Sequence, residues 1–356
     1  MNNIEKLGFN KWFQDKIEIT RQNEYQIARV ISVNKNSFVI SDGNNEIYAE
    51  LTGKYLFNSA SSIDFPAVGD WVYIQIFDEN SLAIIHDILP RKSLLKRKTS
   101  GKNIEYQLIA ANIDTAIVMQ SLDSNYNLRR LERYLVMINE GNITPIIFLS
   151  KSDLISIEEV EEKKNDICKI FPDIRIVTFS NNSIKDIEKI KAQFIPTKTY
   201  CLLGSSGVGK TTLLNNLINK ELYKTQPIRE KDGRGKHTTT RRDLIIIENG
   251  SIIIDNPGMR ELGILSMDSG LDDTFNEIIE LSQQCRFQDC THTIEKGCAV
   301  LQAVEHGQIT KERYDNYIKL YKESVFNEMS YYERRQKDKK FGKFMHTYKK
   351  NNKNKK

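Results

Sequence analysis

The sequence predicts a multidomain chain: an N-terminal all-β barrel of OB type, a central α/β phosphate-loop domain and a mostly helical C-terminal metal module. Three observations carry that expectation. Residues 25–90 hold short apolar segments divided by turn signals. Residues 113–255 alternate apolar strands with helix-spaced segments, and a glycine-rich loop sits between one such strand and its helix. Residues 285–298 gather three cysteines and a histidine. The expected divisions are 1–92 for the barrel, 93–264 for the α/β domain, 265–330 for the metal module and 331–356 for a basic tail.

A length of 356 residues suits two or three domains, and 39% hydrophobic residues supply their cores. No apolar run approaches the roughly 20 residues of a membrane span, and the N-terminus MNNIEKLGFNKWF has no apolar signal region. Five cysteines, three of them clustered, are not the even, spread pattern of a secreted disulfide scaffold. The expectation is a reduced, cytoplasmic protein with no membrane partner. The net charge of +5 is a poor average. Residues 331–356 hold eleven of the 52 basic and two of the 47 acidic residues, so the remainder carries −4. A basic tail of this kind reads equally as a nucleic-acid contact or as a solubilising segment.

Within the barrel the strand segments are YQIARVISV, SFVISD, EIYAEL, WVYIQIF and LAIIHDIL, separated by turns such as SDGNN and PAVGD. A five-stranded OB barrel, a common oligonucleotide binder, fits them; an SH3-like barrel would look much the same. RKSLLKRKTSGK at 91–102 follows with six basic residues and no acidic one. It reads as a linker or as a phosphate-facing segment.

The central pattern runs strand IDTAIVMQS, helix NLRRLERYLVMINEG, strand TPIIFLS, helix IEEVEEKKNDICKI, strand IRIVTFS, helix SIKDIEKIKAQF and strand TYCLLG. Helix GKTTLLNNLINKEL and strands RDLIIIE and GSIIID follow. Such alternation predicts a parallel or mixed sheet covered by helices. Gly204, Ser205, Ser206, Gly207, Val208, Gly209, Lys210 and Thr211 match G-x-x-x-x-G-K-[ST] in full, in the strand–loop–helix context that gives the motif its meaning. Its backbone N–H groups and the helix N-terminus cradle phosphates. Lys210 reaches the β- and γ-phosphates, Thr211 places a hydroxyl on Mg²⁺, and Thr212 follows in the first helical turn. The motif alone does not choose between a GTPase, an ATPase and a small-molecule kinase.

Strand GSIIID ends in Asp255-Asn256-Pro257-Gly258, which suits a carboxylate on the Mg²⁺ side and a glycine N–H at the γ-phosphate. Ras-type GTPases place a water-orienting Gln next; here Met259 cannot serve. GRGKHTTTRRD at 233–243 lies where a switch loop belongs. Thr239, with Thr238 next, would complete the Mg²⁺ shell. His237 is either the group that orients the water or a solvent-exposed loop histidine.

Guanine selection needs a carboxylate that accepts from N1–H and the N2 amine. Downstream of the phosphate loop nothing suits. Upstream, Ser150-Lys151-Ser152-Asp153 follows strand TPIIFLS directly. Asp153 takes the base edge and the Lys151 stem covers the ring. Ser150 stands where GTPases have Asn, which removes an amide contact. FSNNS places Ser180 in the second base loop, with Asn181 in place of the usual Ala. The order of parts is therefore base loop, second base loop, phosphate loop, switch, D-x-P-G: a GTPase cycle cut at another point, hence circularly permuted.

Cys285, Cys290, His292 and Cys298 read C-x₄-C-x-H-x₅-C. Three thiols and one imidazole suit one tetrahedral, structural Zn²⁺. Cys168 and Cys201 read as core residues. A metal-stapled module after D-x-P-G would hold the switch end of the domain and transmit its movement.

Taken together, GSSGVGKTT, HTTT at 237–240, DNPG, AANID at 110–114 and CRFQDCTHTIEKGC closely resemble the RsgA (YjeQ/EngC) family of circularly permuted GTPases, over nearly the whole chain. The resemblance implies a monomer that hydrolyses GTP to GDP in late maturation of the small (30S) ribosomal subunit, stimulated by that subunit, with the OB and zinc domains on 16S rRNA. It also implies a role for His237 in hydrolysis. The competing readings are an ATPase or small-molecule kinase, and an RNA-binding scaffold with a structural nucleotide.

Overall fold

The β-branched residues Ile27, Val30, Ile31 and Val33 favour a strand over 26–33, and that strand organises the N-terminal half. The computed structural model of the chain describes residues 3–34, 37–59, 61–77, 81–98, 106–218, 242–255 and 269–329. Three short helices, α1 (Asn3–Lys6), α2 (Lys11–Gln14) and α3 (Ile19–Gln22), precede β1 (Gln26–Val33). Then come β2 (Phe38–Ser41), β3 (Glu46–Leu51), α4 (Gly53–Asn58), β4 (Trp71–Phe77) and β5 (Leu82–Ile88). The strands pair in the order β1-β2-β3-β5-β4 and β4 closes back on β1; only β3 and β5 are parallel. A closed five-stranded barrel with that parallel pair is OB-like, which settles the alternative left by the strand spacing. Ile40, Ile47, Ile74 and Ile85 fill it. The short helices cover the outside, where Leu7, Phe9 and Phe13 pack on Trp71, Tyr73 and Leu89.

Residues 91–102 are not simply a linker. Leu94–Lys98 forms β6, paired with β7 (Tyr106–Ala111), and Leu95 is fully buried. Burial alternates along this stretch, with Ser93 and Leu95 buried and Leu94 and Lys96 partly exposed, as in a strand with one face in the core.

The α/β elements follow the predicted order: β8 (Thr115–Ser121), α5 (Leu128–Glu140), β9 (Thr144–Ser150), α6 (Ile157–Ile170), β10 (Arg175–Thr178), α7 (Ile184–Lys191), β11 (Thr199–Leu203), α8 (Lys210–Ile218), β12 (Arg242–Ile246) and β13 (Ile252–Asp255). Asn127 caps α5 and Ser156 makes a capping box with Glu159 on α6. The sheet order is β10-β9-β8-β11-β13-β12, parallel except for the β12 edge. Strand alternation makes two cores. Ala116, Val118, Leu149 and Cys201 face Leu131, Leu135 and Ile167 of α5 and α6. Ile117, Phe148, Tyr200 and Leu202 face Ile190, Leu213 and Leu217 of α7 and α8. Cys201 is core as expected; Cys168 is half-exposed.

The barrel and this sheet are joined. A bulge near Ile31 bends β1, whose end pairs with β12 through Ser32–Asp243 and Val33–Arg242. The PAVGD turn docks on AANID. Gly69 adopts φ +94, and a Cβ there would lie 2.2 Å from the Ala111 carbonyl. Asn112 donates to the Gly69 carbonyl (3.1 Å) and accepts from Lys92 N–H (2.8 Å). Buried Asp70 is held by the Arg91 fork at 2.9 and 2.7 Å. Arg29, 1% exposed, donates to the carbonyls of Leu7, Gly69 (3.2 Å) and Asn112 (3.3 Å) and to Thr199 Oγ1 (2.9 Å). Burial lowers its pKa to about 10, still charged at neutral pH.

The chain divides into two compact units, Met1–Arg97 with Tyr106–Leu262, and Lys98–Glu105 with Gly263–Lys356. In the second, α9 (Ser269–Thr274), α10 (Asn276–Ser282), α11 (Ala299–Glu305) and α12 (Lys311–Glu328) surround Phe275, Ile278 and Leu320. Arg313 lies over the Phe275 ring and pairs with Glu277 at 2.6 Å. Among the described residues no helix is long and apolar enough to cross a membrane.

Candidate functional site

The phosphate loop connects β11 to α8 at the centre of the sheet. Gly204 (φ +145) lies so close to β8 that a Cβ would meet the Met119 carbonyl at 2.4 Å. Gly209 (φ +93) leaves room for the Asn181 amide, 2.6 Å from where a Cβ would stand. Val208 is buried and anchors the loop in the core. Lys210 folds over the loop, its Nζ donating to the carbonyls of Gly204 (2.8 Å) and Ser205 (2.7 Å). Thr211 and Thr212 follow in the first turn of α8. Asp255 ends β13, which pairs in parallel with β11.

The two base loops leave β9 and β10, and the fold brings both to this loop although they precede it in the chain. Ser150 is fully buried and its hydroxyl donates to the Val208 carbonyl at 2.7 Å. Where the usual Asn would offer an amide, a hydroxyl here bonds the phosphate loop. Lys151 takes a left-handed conformation (φ 59), and its Nζ pairs with Asp123 at 2.7 Å. Ser152 N–H donates to the Phe179 carbonyl (3.2 Å), which ties the loops together. Asp153 stays exposed; the Ser180 hydroxyl, with help from the Asn182 amide, holds its carboxyl below the usual range. It is thus ionised and open to a base edge. Asn181 Nδ2 donates to the Gly209 carbonyl at 3.3 Å.

A third loop had no motif to reveal it. Beyond β8, Asp123 is pushed up by burial, but the Lys151 pair, the Ser121 hydroxyl and the Asn125 N–H outweigh this and hold it down. Asn125 Nδ2 reaches Ser205 Oγ (3.1 Å) and the Ser206 carbonyl (3.3 Å). Residues His237, Thr238, Thr239, Gly258 and Met259 and the tail 331–356 lie outside the described residues.

In the second unit, the ligand atoms of Cys285, Cys290, His292 and Cys298 lie within 4.8 Å of one another. His292 Nδ1 is 3.5 Å from Cys285 Sγ and 3.4 Å from Cys298 Sγ, and the Cys285 and Cys298 sulfurs are 3.8 Å apart. His292 is left-handed (φ 56), and its carbonyl accepts from the Tyr314 hydroxyl at 2.7 Å. The Thr291 hydroxyl, with the N–H groups of Ile294 and Thr293, holds the Glu295 carboxyl down to about 2 and closes the loop. Burial, with the Cys290 and Cys285 sulfurs adding to it, pushes the Cys298 thiol up to about 12. Three sulfurs and a ring nitrogen crowded in this way fit a metal ion that would take them as thiolates.

The profile of the RsgA GTPase family matches residues 88–265, spanning both base loops, the phosphate loop and D-x-P-G. The small ribosomal subunit biogenesis GTPase RsgA 2 of Vibrio parahaemolyticus is 36% identical over 96% of this chain and 91% of its own length. The chain belongs to the RsgA GTPase family. Its RsgA 2 relative in Listeria monocytogenes is 39% identical over 91% of this chain and 90% of that one. The crystal structure of YjeQ from Thermotoga maritima aligns with TM-score 0.61 at 25% identity, covering 84% of this chain and 98% of that one. YloQ, described as a circularly permuted GTPase, aligns with TM-score 0.59 at 25% identity, covering 86% and 97%. This RsgA-family chain is accordingly a GTP-hydrolysing enzyme of permuted topology, and the expected base-loop-first order is how its sheet is threaded.

Proposed function

We propose that this chain hydrolyses GTP to GDP and phosphate on binding the small ribosomal subunit, in the late maturation of that subunit. The observation that carries the reading is that the two loops bearing Asp153 and Ser180, upstream in the chain, are bonded to the phosphate loop through Ser150 to Val208 and Asn181 to Gly209. Adenine lacks the adjacent N1–H and N2 donors that one ionised carboxylate accepts from together, so this placement favours guanine over adenine. The relatives are small ribosomal subunit biogenesis GTPases, and they supply the partner.

Asp153 accepts from guanine N1–H and N2, Lys151 flanks the base, and Ser152 and Ser180 hold the two loops. The N–H groups of residues 205–210 cradle the phosphates, aided by Lys210 and Thr212. Thr211, Thr239 and Asp255 are the residues that would hold Mg²⁺, which would neutralise charge on the phosphates. Gly258 meets the γ-phosphate. His237 orients the attacking water, taking the place Met259 cannot fill. The four-ligand knot holds one structural Zn²⁺. The barrel (1–92) and zinc module (265–330) contact 16S rRNA on either side of the GTPase domain (93–264) in the sequence, and the protein works as a cytoplasmic monomer.

Unaided turnover is then slow, on the order of 10⁻⁴ s⁻¹ as in small GTPases without a stimulating partner. Purified small subunits should raise GTP turnover and leave ATP untouched. No stimulation by subunits would end this reading.

A further inference from the structure

Three side chains from three separate loops donate to carbonyls of the phosphate loop. Asn125 Nδ2 reaches the Ser206 carbonyl at 3.3 Å, Ser150 Oγ the Val208 carbonyl at 2.7 Å, and Asn181 Nδ2 the Gly209 carbonyl at 3.3 Å. Lys210 holds the two carbonyls before them. A trans peptide is planar, so a carbonyl and the N–H of the next residue point opposite ways. Pinning the carbonyls of 206, 208 and 209 therefore turns the N–H groups of Gly207, Gly209 and Lys210 away from those donors, to the side where such a loop cradles phosphate. N–H groups aimed in advance bind an anion without the cost of ordering them at the moment of binding.

Each donor is itself fixed. Ser150 is fully buried. Arg130 donates to Asn125 Oδ1 at 2.8 Å, which sets that amide with its nitrogen toward the loop. Asn216 donates to the Asn181 carbonyl at 3.2 Å. Two of the three donors stand where the sequence departs from the usual base-loop residues, Ser for Asn and Asn for Ala. In the fold both departures supply a donor to the loop.

We propose that Ser150, Asn181 and Asn125 form a clasp of positioning residues that aims the phosphate-binding N–H groups and so sets how long the nucleotide stays bound. This rests on the GTP site proposed above. None of the three need touch the reacting atoms. Their effect passes through the phosphate loop.

The test is release of a fluorescent GDP analogue from the full chain, by stopped flow against excess GDP. One net hydrogen bond corresponds to about fivefold in an equilibrium constant. Asn181→Ala, Asn125→Ala and Ser150→Ala should each speed release by about that factor, and Ser150→Thr, which keeps the hydroxyl, should release as the unaltered chain does. Asn181→Ala is the safest arm, because Asn181 Oδ1 is buried with no donor among the described residues. Removing it relieves an unpaired acceptor, so the melting temperature without nucleotide should hold while release quickens. A purely structural role would move the melting temperature and spare the release rate. Unchanged release in Asn181→Ala, or Ser150→Thr as fast as Ser150→Ala, overturns the clasp. An unaltered chain that bound no labelled GDP would overturn the GTP site itself, and the clasp with it.

Discussion

The phosphate loop and the cysteine–histidine knot are both tight turns with left-handed residues, and they are held in opposite ways. In the phosphate loop, Gly204, Gly207 and Gly209 take positive φ, and the stabilising donors come from residues 125, 150 and 181, far away in the chain. In the knot, His292 and Gly297 take positive φ, and all four ligand atoms come from residues 285–298. One site is assembled by a sheet and the other by a single short segment. A site of the first kind can be tuned one bond at a time. A site of the second kind would depend on an ion to fill it.

The largest expected effect therefore falls on the knot. Cys290→Ala should lose the metal and with it folding free energy on the order of 10 kcal/mol in the module. Metal content and the circular dichroism of the helices would read this. Full metal content in Cys290→Ala would remove that residue from the ligand set and the contrast with it. A middle effect belongs to the assembled site. Asp153→Asn should weaken GTP about 100-fold, the scale of two charge-assisted hydrogen bonds, and favour xanthosine triphosphate. Equal GTP affinity in competition titrations would take Asp153 out of the base pocket. The smallest effect sharpens how the sheet holds its loops. Burial raises the Asp114 carboxyl, but the Thr199 N–H at 2.9 Å, Lys92 and Lys198 outweigh it and hold the pKa below the ordinary carboxylate value. A depressed acid stabilises the fold above its unfolded pKa, about 3.9, and the contribution disappears as pH falls through the folded value. Asp114→Asn keeps the Thr199 bond and loses two partly exposed ion pairs, about 1 kcal/mol at neutral pH. Urea unfolding across pH 2–7 should show a shallower acid-side loss in this variant than in the unaltered chain. Parallel acid limbs would mean that Asp114 is not the group.

Local pattern carried much of the fold because each element met its usual physical demands. Apolar alternation marked the strands. Helical spacing marked α5 and α6, whose first turns Asn127 and Ser156 cap in the fold. The phosphate loop and the knot were legible because glycine placement and ligand spacing leave few alternatives. The β6 strand was harder to read, because its basic residues masked a buried Leu95. Asn125 and Asp123 could not be found at all, since SLDSN has no meaning until β8 lies beside β11. The join of barrel to sheet was equally hidden: Arg29 reads as one more strand residue, yet it binds oxygens of Leu7, Gly69, Asn112 and Thr199.

By itself, then, the sequence determined the three kinds of structure, the permuted order of the base and phosphate loops and the cluster of three cysteines and one histidine, because each rests on neighbours within a turn or a strand. Only the tertiary structure decided how Ser150 and Asn181 act. Read locally they are losses from a base-binding motif. In the folded sheet they face the carbonyls of Val208 and Gly209, and a hydrogen bond depends on where two groups meet in space, not on how far apart they lie in the chain.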